Sequence, residues 1–258
     1  MHVRSGRLII DLDAFLPVLT TAPHVYVGVR TSTGPHVTPE LFTISGEHLV
    51  CLTAASTLKA KVARREPIVA IAARTASGAM SGVATAEVFD PTQPGTAIDS
   101  PHAAAVTPAG VARFVRDNAA ELVGAALDTL AGRLGAPPEH RIVLVIRLDD
   151  AMTVDDGGDV MLGWTRDDGT PLVLPARWED DDRAVVSASL FEHVGAEASS
   201  PACITFDETT GPGPSGKQGV MLRGTGRSTR DGDVVRIALD VERTVEWDGV
   251  EVHSSTVD

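Results

Sequence analysis

The chain repeats itself, and no other feature restricts its fold so strongly. VYVGVRTSTGPHVTP (25–39) aligns with VMLGWTRDDGTPLVLP (160–175), which sets Gly28 on Gly163 and Gly34 on Gly169. The register continues through VCLT (50–53) with VVSA (185–188), EPIVAIA (66–72) with SPACITF (200–206), and GVATAEV (82–88) with GVMLRGT (219–225), at offsets of 134–137. RIVLVI (141–146) then meets RIALDV (236–241) at an offset of 95, because the first copy carries about 40 extra residues before its last strand. Any two β-rich segments share Val, Gly and Pro, but five landmarks in one order point to duplication. A chain of 258 residues could form one domain of about 250 residues or two of about 125. The repeat selects two, 1–150 and 151–258.

Each copy reads as five or six short strands separated by turn chemistry at Gly34-Pro35, Ser45-Gly46, Asp167-Asp168-Gly169 and residues 179–182. Strands of this spacing suit small closed or half-open barrels. A short helix is predicted over 56–66, stopping before Pro67, and another over 13–19. The insertion is predicted to be one amphipathic helix over about 107–134, with Thr107 as cap and Pro108 at its first position. Val111, Phe114, Val115, Leu122, Ala126, Leu130 and Leu134 form its apolar face, and Gly135 and Pro137 stop it. The expected fold class is therefore mainly β, two tandem barrels with a helical insertion in the first.

Composition excludes several functions. The net charge is −13, and it is uneven: 1–150 is near neutral at −1, whereas 151–258 carries −12. Such a surface repels polyphosphate backbones, so nucleic acid is not an expected partner. Cys51 and Cys203 lie 152 positions apart, which leaves neither a disulfide scaffold nor a cysteine metal cluster, and favours a cytoplasmic protein. The uncharged stretch 14–29 contains two prolines and falls short of the roughly 20 residues that cross a bilayer, so no membrane span is expected. The start lacks the pattern of a signal peptide. The eight histidines show no metal-ligand spacing, and no G-x-S-x-G elbow occurs. GPGPSGKQ (211–218) fits the letters of a phosphate-binding loop. However, Gln218 replaces the Ser/Thr of that motif, Pro212 and Pro214 remove amide donors, and a β-like run follows, so a hairpin loop is predicted.

One basic island stands out. Residues 54–75 carry net +4 from Lys59, Lys61, Arg64, Arg65 and Arg74 against Glu66, while the counterpart 188–209 carries −4. If Ser56 or Thr57 opens the helix, its free N–H groups, the hydroxyls and the Lys59 ammonium can converge on one phosphate. A solvated helix face is the plain alternative for Lys61, Arg64 and Arg65, whose spacing spreads them over more than one face.

HVTP (36–39), LVCLT (49–53), STLKAKVARREPIVAIA (56–72) and GVATAEV (82–88), in that order, resemble the pyridoxamine 5′-phosphate oxidase-like flavoproteins, the FMN-binding split-barrel family. The resemblance covers about residues 8–90 and the strand at 141–149, and departs at Val62 and Ala63, where many members carry Asn-Leu. It implies split β-barrels and an FMN whose phosphate meets Lys59, Lys61 and the hydroxyls of Thr53, Ser56 and Thr57. His36, Val37, Thr38 and Pro39 would line the isoalloxazine ring. A deazaflavin coenzyme F420 is the rival within the same fold. A non-catalytic haem- or ligand-binding protein is a third reading, with His36 or His253 as candidate axial ligands.

The second copy has His193 at the Lys59 position, with Glu192 before it, and Pro171 at the His36 position. One cofactor site per chain is expected, since four carboxylates repel a phosphate. The resemblance further implies a dimer-like pairing, here within one chain and with a homodimer still open, in which the second barrel walls the pocket through Trp164, Arg177 or Trp178. The implied activity is an oxidoreductase acting on a small molecule, with no catalytic side chain identified because the flavin carries the reactive atom.

Overall fold

The computed structural model describes residues 12–76, 78–93, 95–131, 140–154, 157–179, 183–193, 198–249 and 251–257. The first copy contains α1 (Leu16–Leu19), β1 (Val25–Thr31), β2 (Gly34–Glu40), β3 (Phe42–Ser45), β4 (His48–Ala54), α2 (Leu58–Ala63), β5 (Ile68–Thr75) and β6 (Gly78–Phe89). The helices α3 (Gly95–Asp99), α4 (Pro101–Asp117) and α5 (Ala119–Leu130) follow, and then β7 (Arg141–Val154). The second copy contains β8 (Val160–Thr165), β9 (Pro171–Glu179), β10 (Arg183–Ser187), α6 (Ala188–His193), β11 (Ser199–Thr209), β12 (Lys217–Asp231), β13 (Val234–Asp248) and β14 (Glu251–Thr256). Among the described residues no helix is long and apolar enough to cross a membrane.

The strands form two antiparallel sheets, β2-β1-β5-β6-β7-β4-β3 and β10-β9-β8-β11-β12-β13-β14, and β10 also pairs with β13. Six neighbours recur in the same order in both copies, β2-β1-β5-β6-β7-β4 and β9-β8-β11-β12-β13-β10. Every landmark of the sequence repeat falls on an equivalent strand. Gly34 and Gly169 open equivalent hairpin returns with φ of +100° and +84°, a conformation that a side chain disfavours. The last inner strand pair of each copy, β6–β7 and β12–β13, contains a register shift, which bends long strands around a barrel.

Alternation explains how the two barrels meet. On β1, Val25, Val27 and Val29 point into the first barrel's own core, so Tyr26 and Gly28 must face outward. They are buried nonetheless, because the second barrel lies against them. The shared core consists of Tyr26, Val37, Ala70 and Ala72 from the first copy and Met161, Val173, Cys203 and Met221 from the second. The packing is reciprocal: Val173 fills the space over Gly28, and Val37 fills the space over Gly163, where a Cβ would sit 2.7 Å from the valine methyl. Equivalent glycines thus receive equivalent valines, as in an isologous dimer.

The helical insertion differs from the single helix predicted over 107–134. The chain enters α4 earlier, at Pro101, a residue suited to a first helical turn. Thr107 is therefore inside α4, its hydroxyl bonded to the Ala103 carbonyl (2.7 Å) instead of capping, and Pro108 is also internal. Asn118 divides α4 from α5, its buried amide donating to the carbonyls of Phe42 (3.0 Å) and Phe114 (3.1 Å). The predicted stop at Leu134, Gly135 and Pro137 lies outside the described residues. Helix α4 packs on the outer face of β4 and β7, where Gly110 admits the methyls of Val50. The helix predicted over 56–66 is shorter, α2, with Thr57 as its N-cap. At the N-terminus α1 and the 3₁₀ turn before it occupy the stretch predicted as helical.

Candidate functional site

A cavity of about 670 Å³ opens between the barrels, within the usual range for cofactor and ligand sites of roughly 300–1,000 Å³. The first barrel contributes His36, Thr38, Pro39 and Glu40 of β2, Leu52 of β4, and Thr57 and Lys59 at the start of α2. The insertion contributes Phe114, Leu122 and Ala125. The second barrel contributes Met221 and Lys217 of β12, and Val245 and Trp247 of β13.

Of the residues expected from sequence, Lys59, Thr57, His36, Thr38 and Pro39 line this one cavity. The others do not. Val37 alternates to the opposite face of β2 and is spent on Gly163. Thr53 is buried beneath Thr57, hydroxyl to hydroxyl 3.4 Å. Ser56 and Lys61 are exposed and outside the lining. The basic island is dispersed by the fold, because helix and strand send its cations in different directions: Arg64 pairs with Asp90 (3.3 Å), and Arg74 reaches Asp207 (3.3 Å). His193, the counterpart of Lys59, is the last residue of α6. Trp164 belongs to the second barrel's core and Trp178 and Arg177 lie elsewhere, so the tryptophan in the wall is Trp247. Its one sequence signal is the hairpin turn Trp247-Asp248-Gly249 between alternating residues. No linear signal marks Arg141 or Met221.

Charge in the cavity is organised by end. At the α2 end the buried Lys59 ammonium meets the Glu40 carboxylate, with Arg141 nearby. Burial, then Arg141, pushes Lys59 down to about 7, while contact with Glu40 favours its charged form. Two cations against one carboxylate leave this end with a surplus positive charge. The Thr57 hydroxyl donates to the Ala54 carbonyl (2.8 Å) and accepts from the Ala60 N–H (3.4 Å). Midway, burial, then Lys59 and Arg223, pushes His36 down to about 3, so its imidazole is neutral at any physiological pH. Nδ1 of His36 and Oγ1 of Thr38 are buried without a hydrogen-bond partner among the described residues.

The far end is a polar network joining the barrels. Asp207 of β11 accepts from the Tyr26 hydroxyl (2.6 Å) and Arg74 (3.3 Å) and pairs with His24 (3.0 Å). Burial opposes the ionised carboxylate, but these partners more than offset it and hold Asp207 below the usual range. Tyr26 is pushed up by burial and by the adjacent carboxylate. Because the folded pKa of Asp207 is depressed, its stabilisation is complete above the ordinary aspartate value of about 4 and is lost as pH falls through the lower folded value. Asp207→Asn is therefore expected to flatten the acid limb of a stability profile measured by urea unfolding. An unchanged slope would remove the network from the barrel interface.

The roof is a clasp between insertion and second barrel. The 211–217 segment is the hairpin loop between β11 and β12, as predicted. Glu121 of α5 accepts from the Gly213 N–H (2.8 Å) and Lys217 Nζ (3.0 Å), and Asp128 accepts from the Ser215 N–H (3.0 Å) and hydroxyl (2.6 Å). The loop lies so close to α5 that a Cβ on Gly124 would stand 2.6 Å from the Pro212 carbonyl. Gly124→Val is accordingly expected to lift the loop, with a loss of about 1–3 kcal/mol. Urea unfolding together with faster tryptic cleavage at Lys217 would register it.

The sequence matches no family model and no curated protein sequence. Among solved structures it is similar to a protein described as a pyridoxamine 5′-phosphate oxidase from Listeria innocua, at 12% identity over 56% of this chain and 98% of that one, TM-score 0.35. It is also similar to an F420 reductase (15% identity, 58% of this chain and 98% of that one, TM-score 0.32). The haem storage protein HutZ of Vibrio cholerae matches at 12% identity over 56% of this chain and 94% of that one, TM-score 0.36. Each likeness spans little more than half of the chain. By its own geometry the chain is a two-barrel, mainly β protein with a ligand-sized cavity at the junction of its halves.

Proposed function

We propose that the inter-barrel cavity holds a flavin, FMN in the first instance, and that the protein is an oxidoreductase acting on a small molecule. The observation that carries this reading is the layout of the cavity, a largely apolar wall closed at one end by Lys59 and Arg141 against a single carboxylate, Glu40. His36 and Thr38 set neutral polar side chains in that wall, suited to the edge of a planar ring rich in nitrogen and oxygen. The α2 end supplies the complementary charge for a phosphate: Lys59 and Arg141 outnumber Glu40. The residues present therefore fit the group.

When bound, a flavin itself supplies the two-electron chemistry. The chain's part is to bind, orient and dry the site. Lys59 exchanges Glu40 for the phosphate, or shares itself between them. His36 stays neutral, so it offers one ring nitrogen as acceptor without adding charge beside the ring. Phe114, Leu122, Val245 and Trp247 exclude water, and the α5 clasp closes the roof.

The test is spectroscopic. Purified protein titrated with FMN is expected to quench flavin fluorescence saturably with one site per chain. Binding of a deazaflavin but not FMN would transfer the reading to that coenzyme, and a Soret band on adding haem without any flavin binding would replace it. Indifference to all three would overturn it.

A further inference from the structure

Strand alternation brings a histidine and a carboxylate together at the far end of the inter-barrel cavity. On β1, Val25, Val27 and Val29 face the first barrel's own core, so Tyr26 faces the second barrel. The ring of His24, just before the strand, meets Tyr26 edge to face with 4.8 Å between centroids. On β11, Cys203 belongs to the shared core and Thr205 donates to the Val37 carbonyl (3.1 Å), and Asp207 continues that face. His24 Nε2 stands 3.0 Å from Asp207 Oδ2, and both residues line the cavity. The surface next to them is apolar: the Trp247 ring lies over Gly219, the register partner of Asp207, and Met221 is the partner of Thr205.

The dyad is complete on its carboxylate side and open on its imidazole side. Asp207 Oδ1 accepts from the Tyr26 hydroxyl (2.6 Å) and from Arg74 (3.3 Å), and Oδ2 is taken by His24. With Nε2–H given to Asp207, a neutral imidazole carries its lone pair on Nδ1, and among the described residues no group donates to that atom. A carboxylate that fixes the ring in one tautomer and stabilises the imidazolium makes such a histidine a general base. The side chains of His24 and Asp207 are 12% and 6% exposed, and exclusion of water strengthens the pairing.

Three ligand chemistries compete for this nitrogen. A carboxylic acid arrives ionised, brings no proton and meets Asp207 and Glu208 as like charges. An ammonium seeks a carboxylate, but both oxygens of Asp207 are engaged and Glu208 is exposed to water. A weakly acidic hydroxyl on an unsaturated carbon arrives neutral, suits the apolar wall and has a proton to give.

We propose that His24 is the general base of this cavity and that the substrate is a small phenol or enol. The substrate O–H bond breaks as the Nδ1–H bond forms, which leaves an oxyanion beside an imidazolium held by Asp207. No electrons move in this step. The inference names a substrate class for the flavin reading and rests on that reading only for the chemistry that follows proton transfer.

4-Nitrophenol is the probe, because its ionised form absorbs in the visible. Added to the purified full chain without FMN, at the pH where half of the free probe is ionised, it is expected to gain phenolate absorbance saturably with one site per chain. The bound probe should ionise about tenfold more readily than the free one, the lower part of the effect of an adjacent opposite charge. His24→Gln is expected to abolish the gain, and Asp207→Asn, which removes the charge that stabilises the imidazolium, to reduce it. Should His24→Gln fail to fold, the parent decides: inorganic phosphate, which suits the Lys59 end, should leave the gain unchanged. No gain, an equal gain in a folded His24→Gln, or loss of the gain to phosphate would overturn the assignment. Saturable FMN binding alongside any of these would leave the flavin reading standing, whereas the gain without FMN binding would retain His24 and remove the flavin.

Discussion

Replacing Gly28 by valine is expected to cost about 3 kcal/mol, the upper part of the range for overpacking a fitted core. A Cβ there lands on the Val173 methyl and 3.3 Å from Ala70 Cβ, and neither neighbour has room, since both are fully buried. The equivalent change, Gly163→Val, meets Cys203 Sγ at 2.5 Å and the Val37 methyl at 2.7 Å, and is expected to cost a similar amount. The diagnostic comparison uses the smaller residue: Gly28→Ala should lose stability in urea, and Gly28→Ala with Val173→Ala should recover part of it, because the second change vacates the space that the first fills. If Gly28→Val unfolds within about 0.5 kcal/mol of the parent, the size of a neutral surface change, the reciprocal glycine–valine contact does not hold the barrels together.

The second large effect is at Lys59. Its side chain and that of Glu40 are 8% and 10% exposed, so Lys59→Ala strands a carboxylate in the wall of the cavity. Removing one partner of a buried pair costs about 3–5 kcal/mol of stability. FMN binding is expected to fall as well, by about 1.5–3 kcal/mol, the worth of a hydrogen bond to a charged group. The two losses separate in the pair Lys59→Met with Glu40→Gln, which has no stranded charge. That variant should regain most of the stability while its FMN affinity, followed by flavin fluorescence, stays low. Parental affinity in the double variant would mean that Lys59 serves Glu40 alone and takes no part in holding a phosphate.

Much of the site was legible along the chain because it sits on local chemistry. His36, Thr38 and Pro39 of β2 and the Thr57-x-Lys59 start of α2 fall on one cavity wall, since Lys59 at the start of α2 meets Glu40 at the end of β2. Val37 was misplaced because strand alternation sends it to the opposite face, and alternation cannot be assigned to a face until both faces are known to be buried. Lys61 was grouped with Lys59, yet a helix of six residues turns it to solvent, the plain alternative for Lys61, Arg64 and Arg65, and Arg64 just beyond the helix pairs with Asp90. The insertion was recognised as helical from its apolar spacing. Its division at Asn118 was not, because that break is stabilised by the Phe42 carbonyl on a strand far back in the sequence.

What the sequence determined by itself was the duplication, the strand-and-turn grammar of each copy and the asymmetry of charge between them, because each is written in residue order and spacing. What only the tertiary structure decided was the partnership: that Gly28 receives Val173, that Lys59 faces Glu40, and that Trp247 and Lys217 complete a wall begun by β2 and α2. Those contacts join residues more than a hundred positions apart or on different elements. Their energies depend on distance and exclusion of water, which exist only once the two barrels have closed on each other.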